Sequence, residues 1–129
     1  MRIDHIALWT KQLEALREFY VTYFEATANT KYVNEKTGFQ SYFVSFSEGG
    51  RIEIMQRPTV SVREQQEAEY PTGIAHFAMS VGSQQRVIDL TRRLKEDGYV
   101  ILSEPRTTGD GYFESVVQDP DGNSIEVTI

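Results

Sequence analysis

The last eleven residues, DPDGNSIEVTI (Asp119 to Ile129), read as a tight turn followed by a β-strand. Asp-Pro and Asp-Gly are turn-forming pairs. Beyond them Ile125, Val127 and Ile129 alternate with Ser124, Glu126 and Thr128. A period of two puts the three aliphatic side chains on one face of a strand and Glu126 on the other. The same pattern stands upstream in GRIEIM (Gly50 to Met55), where Glu53 lies between Ile52 and Ile54. Glutamate is a poor strand former, so two strands that each carry one on the non-aliphatic face pose the question of what that face meets.

Outward from these strands the chain reads as one plan used twice. The first half opens with the strand pattern IDHIALWT. In KQLEALREFYVTYF, which follows, Leu13, Leu16, Tyr20, Tyr23 and Phe24 recur at helical spacing, with Thr10 as the expected N-cap. FQSYFVSF, the turn SEGG and RIEIMQ then form an expected hairpin. The second half opens with IAHFAMSV. A helix is expected over SQQRVIDLTRRLKEDG, capped by Ser83, with Val87, Leu90, Thr91 and Leu94 on one face and Gly98 as its stop. YVIL, a loop SEPRTTGDG, the strand YFESVVQ and the terminal turn and strand complete it. His5 and His76 are 71 residues apart, Tyr42-Phe43 and Tyr112-Phe113 are 70 apart, and Glu53 and Glu126 are 73 apart. Internal duplication of this kind often builds one site from two related halves. The expected organisation is a single domain of module 1 (1–56), a polar linker (57–72) and module 2 (73–129).

Composition bounds the partners. The 129 residues are 40% hydrophobic and 25% charged, as in an ordinary soluble globular domain. There is no apolar run of membrane-spanning length and no signal-peptide pattern, so no membrane partner and a cytoplasmic location are expected. With no cysteine, disulfides, thiolate nucleophiles and thiolate metal sites are excluded. A net charge of −6 without a dense Lys/Arg cluster argues against nucleic acid, whose binding rests on neutralising phosphates. The expected ligand is a small molecule.

Sorting the four strands by parity gives a common result. Ile6 and Leu8 oppose His5; Phe77, Met79 and Val81 oppose His76; Ile52 and Ile54 oppose Glu53; Ile125, Val127 and Ile129 oppose Glu126. If the helices cover the apolar rows, the two histidines and two glutamates share the uncovered face. Singly, a strand histidine is commonly a half-buried structural residue and a strand glutamate a solvated one. These are the only two histidines of the chain, and all four residues occupy matched positions in a repeat. Two carboxylates brought together repel each other, and a divalent metal resolves that by accepting nitrogen and oxygen donors together.

DHIAL with LREFYVTYF after it, RIEIM, IAHFAMSV and DPDGNSIEV resemble the vicinal oxygen chelate superfamily, which includes glyoxalase I, methylmalonyl-CoA epimerase, extradiol dioxygenases and the fosfomycin- and bleomycin-resistance proteins. The resemblance spans essentially the whole chain. It implies an α+β fold of paired βαβββ modules forming a curved mixed sheet around a metal, with helices on the outer face. The ligand set His5, Glu53, His76 and Glu126 is similar to that of bacterial-type glyoxalase I, which implies nickel, cobalt or zinc as cofactor and a homodimer as the assembly. It further implies a metal-dependent isomerase or lyase acting on the thiol hemithioacetal of a 2-oxoaldehyde through an enediolate. Glu126 or Glu53 would be the catalytic base, Glu126 in preference. The alternatives within the same scaffold are an epimerase of a CoA thioester, a thiol transferase that confers antibiotic resistance, or a drug-binding protein without catalysis.

Around this set, Arg51 and Arg106 read as ordinary surface charge. Tyr42, Tyr112 and Trp9 are candidates for lining a pocket, with aromatic packing the competing role. By parity Asp4 points away from His5 and is not expected to be its partner.

Overall fold

Each helix of the chain has one apolar stripe, and each sheet has one apolar face, so the two must cover each other. The computed structural model describes residues 1–62 and 72–129, and within them that pairing is made twice. More than half of the expected linker, residues 63–71, lies outside the described residues. The chain divides into two compact units, Met1–Glu64 and Gln65–Ile129.

The first unit runs β1 (His5–Trp9), α1 (Leu13–Tyr23), β2 (Thr27–Ala28), β3 (Tyr32–Asn34), β4 (Phe39–Ser45) and β5 (Arg51–Gln56). Its sheet has the order β1-β5-β4-β2, and β3 also pairs with β4. β1 lies parallel to β5, and every other pair is antiparallel. From α1, Leu13, Leu16, Phe19 and Tyr20 are buried, and Val44, Ile52 and Ile54 are the buried hydrophobic residues of the strands. Burying one such side chain contributes about 2 kcal/mol, several times any difference in helix propensity. Packing therefore holds this aromatic-rich helix in place.

The start of α1 departs from expectation. The Thr10 hydroxyl accepts the Gln12 N–H at 2.9 Å, two residues too early to cap the helix, and no side chain of the N-cap residue Gln12 bonds there. Instead the first helical N–H, that of Leu13, donates to Gln56 Oε1 of β5 at 3.1 Å. A residue 43 positions away supplies the acceptor that a local cap would have supplied.

The second unit runs β6 (Phe77–Ser80), α2 (Gln84–Glu96), β7 (Ile101–Thr107), β8 (Phe113–Gln118) and β9 (Ser124–Thr128), with sheet order β6-β9-β8-β7. β6 is parallel to β9, while β7 and β8 continue antiparallel. Ser83 caps α2 as expected, its Oγ accepting from Arg86 N at 3.3 Å. Gly98, at φ 89°, ends it by letting Tyr99 N reach back to Leu94 O at 2.9 Å. Val87, Thr91 and Leu94 are buried, as are Ser115, Val117, Ile125 and Val127 on the helix side of β8 and β9. The one polar pair among them is satisfied. Thr91 Oγ1 donates to Val87 O and lies 2.7 Å from Ser115 Oγ.

The fold is α+β, two βαβββ-type units each with its own mixed sheet. The expected loop SEPRTTGDG is strand over its first five residues, and the segment before FQSYFVSF holds two further short strands. β2 and β3 are two and three residues long, too short to show a period. β7 runs through Pro105, which a strand tolerates because β7 is the sheet edge and its register shifts on either side of Ser103.

Candidate metal centre

In the first unit, parallel pairing sets Ala7 beside Glu53, and antiparallel pairing sets Phe43 on the other side of Glu53. Ile52 and Ile54 are buried on the helix side, so Glu53 points to the opposite face with Ala7, His5 and Phe43. The His5 ring packs edge-on against Phe43, with centroids 5.4 Å apart. Its Nδ1 lies 3.0 Å from Asp4 Oδ2. Arg51 Nη2 donates to the same carboxylate oxygen at 2.5 Å, and the guanidinium stacks over Phe43 at 4.5 Å. Hydrogen bonds from His5 and Arg51 hold the Asp4 carboxyl down at about 2. The expectation that Asp4 turns away from His5 is thus corrected. Asp4 stands just before β1, and the Arg51 guanidinium draws its short side chain round, where strand parity no longer governs it.

The second unit repeats the arrangement at the same register. Ala78 pairs with Glu126, and His76 stands two residues before Ala78 as His5 does before Ala7. Here imidazole and carboxylate already meet, with His76 Nε2 3.3 Å from Glu126 Oε2. The side chain of Glu126 is only 19% exposed, against 47% for His76. A small alanine between each histidine and its glutamate leaves both donors clear of bulk.

Glu114, which the sequence did not single out, also belongs to this face. Its strand neighbour relation to Thr128 places it beside Glu126, and it is buried. Burial first, then the Glu126 charge and a hydrogen bond to Glu126, push the Glu114 carboxyl up; Arg106 pulls it the other way. Parity alone does not bring Glu114 to Glu126; the register of β8 on β9 does.

The register also corrects the expected repeat. Phe43 lies opposite Glu53 and Val116 opposite Glu126, a separation of 73 that matches the two glutamates. Phe113 instead pairs with Thr107 at the start of β8, so Tyr112-Phe113 is not the counterpart of Tyr42-Phe43. Tyr42 lies on the helix side and donates to Glu14 of α1, which removes it as a pocket residue. Trp9 stays half-exposed on the His5 face, edge-on to Phe39. Arg106 donates to Ser103 Oγ and lies 3.8 Å from Glu114. A cleft of about 380 Å³ at the start of α1, lined in part by Glu14, Lys31, Gln40 and Gln56, sits on the helix side and away from His5 and Glu53.

Two imidazoles and two carboxylates are a donor set that fits a borderline divalent cation. Among the described residues, neither unit alone gathers three His, Asp or Glu side chains placed to hold one. Each unit supplies a matched pair.

The model of the glyoxalase/bleomycin resistance protein/dioxygenase superfamily matches residues 2–127. The chain belongs to this superfamily. Among solved structures of the superfamily fold, glyoxalase I from Zea mays is 22% identical with a TM-score of 0.79, covering 98% of this chain and 44% of the maize chain. The present chain thus spans less than half the length of that enzyme. Glyoxalase I of Leishmania major, described as trypanothione-dependent, is 20% identical with a TM-score of 0.77 over 99% of this chain and 86% of its own. A possible glyoxalase from Bacillus cereus is 26% identical with a TM-score of 0.70, over 100% and 99% of the two chains. No curated protein matches. The match spans both units. Among the described residues no helix is long and apolar enough to cross a membrane.

Proposed function

We propose that the chain is a metal-dependent isomerase of the glyoxalase I kind, acting on the hemithioacetal formed by a thiol and a 2-oxoaldehyde. The observation that carries this reading is the repeated register: His-x-Ala beside Glu in both units, with His76 and Glu126 in contact. His5, Glu53, His76 and Glu126 would be the ligands of a divalent ion. Such an ion supplies Lewis-acid polarisation of adjacent substrate oxygens. Nickel, cobalt and zinc all suit the donors.

Glu126 is the base. Its carboxylate takes the proton from the hemithioacetal carbon, and that proton is returned to the neighbouring carbon. The product is a 2-hydroxyacyl thioester, and the shift needs no oxidant or reductant. The partial burial of Glu126 keeps water from competing for the proton, while Glu114 bonds one side of the carboxyl and orients it. Glu53 occupies the matched position in the first unit and would take the same part for a substrate of opposite handedness. A homodimer in the cytoplasm is the setting this reading carries with it, with no nucleic acid or membrane partner.

The test is turnover of the methylglyoxal–glutathione hemithioacetal by stripped protein refilled with nickel, cobalt or zinc, with the trypanothione adduct in parallel. Metal-dependent appearance of the lactoyl thioester is the expected result. Tight metal uptake without turnover of either adduct would retain the site and discard the substrate. CoA thioesters and antibiotics would be assayed next.

A further inference from the structure

The two histidines are supported in different ways. His76 follows Ala75, and its Nε2 faces Glu126 directly. His5 follows Asp4, and its only described polar contact runs from Nδ1 to Asp4 Oδ2 at 3.0 Å. The same Asp4 oxygen is gripped by Arg51, whose backbone N–H also bonds Asp4 O at 3.0 Å. Arg51 is fixed in turn by stacking on Phe43, the ring that packs against His5. The counterpart of Arg51 in the second unit, 73 residues on, is Ser124, so this clamp exists once.

An ionised carboxylate only accepts hydrogen bonds, so His5 Nδ1 must be the donor. That leaves the Nε2 lone pair unprotonated in the neutral ring, whereas an unrestrained imidazole favours the opposite tautomer. Edge-on packing against Phe43 removes the remaining freedom of the ring.

We propose that Asp4, locked by Arg51, is a positioning residue that fixes His5 as its Nδ1–H tautomer and presents Nε2 to a divalent cation. This rests on the assignment of His5 as a metal ligand made above. Loss of such a partner costs roughly 10- to 100-fold in metal affinity.

Zinc affinity would be measured by competition with a chromophoric chelator for the native protein, His5→Ala, Asp4→Ala, Asp4→Asn and Arg51→Met. The tautomer of His5 would be read from long-range ¹⁵N correlations of the metal-free protein. The expected result is a 10- to 100-fold weaker affinity for Asp4→Ala, a smaller loss for Asp4→Asn, which keeps an acceptor, and a shift of His5 toward Nε2–H in Asp4→Ala. Weakened binding in His5→Ala with unchanged affinity and tautomer in Asp4→Ala would overturn the proposal and leave His5 as a ligand. Native affinity in His5→Ala would overturn both.

Discussion

Glu126 sits between two neighbours with different claims on it. The His76 Nε2 lies 3.3 Å from one carboxylate oxygen, and Glu114 shares a hydrogen bond with the carboxyl group. Replacing Glu126 with Gln keeps the volume and an oxygen donor but removes the basic site. Turnover should fall roughly 100- to 10,000-fold, the usual contribution of a positioned base, with metal content by elemental analysis largely retained. Unchanged turnover would transfer the role to Glu53. A second pair of polar groups tests the core. Ser115 Oγ is fully buried and reaches Thr91 Oγ1 at 2.7 Å, while Thr91 also has Val87 O. Thr91→Val strands the serine hydroxyl and should cost about 1–3 kcal/mol in urea denaturation. Ser115→Ala leaves Thr91 with its backbone acceptor and should cost less. The double variant should fall well short of the sum.

At the scale of elements, the turn before β9 decides where Glu126 lands. Asp119 Oδ1 accepts from Asp121 N and Asn123 N, at 3.0 and 2.9 Å, and Oδ2 accepts from Asn123 Nδ2 at 2.9 Å. Gly122, at φ 80°, adopts the left-handed conformation that the turn needs. Asp119→Ala removes three bonds from a buried side chain and should destabilise the second unit by about 2 kcal/mol, measured by hydrogen exchange of β8 and β9. This turn was legible in the sequence because its chemistry is local, as was the Ser83 cap. Elements governed by distant partners were not. Gln56 caps α1 from another strand, and nothing near Thr10 announces it. Strand parity gave the faces of His5, Glu53 and Glu126, which lie within strands where the pleat fixes them, whereas His76 stands just before β6 and is placed by its contact with Glu126. Parity failed at Asp4, which lies outside the strand and answers to Arg51. It missed the Glu114 contact because cross-strand register depends on the turn length between β8 and β9. The aromatic repeat misled for the same reason: Tyr112-Phe113 resembles Tyr42-Phe43 in letters, but pairing makes Val116 the counterpart of Phe43.

At the scale of the molecule, each unit has its own helix, its own sheet and its own core, so each could answer to a ligand separately. A ligand that binds only the folded state stabilises it by RT ln(1 + [L]/Kd), about 2.7 kcal/mol at a hundred times Kd. If the ion takes two donors from each unit, zinc at that excess should raise the thermal transitions of both. His5→Ala and His76→Ala should then each cut the shift in both transitions, although each variant alters one unit alone. The measurement is a calorimetric scan of stripped protein and of both variants, with and without zinc. An effect of each substitution confined to its own unit would mean two independent sites of two protein ligands. Persistence of the full shift in one variant would assign the ion to the other unit. Either result would end the four-ligand set and, with it, the reading of the chain as an enzyme of the glyoxalase I kind. Loss in both would support the four-ligand set.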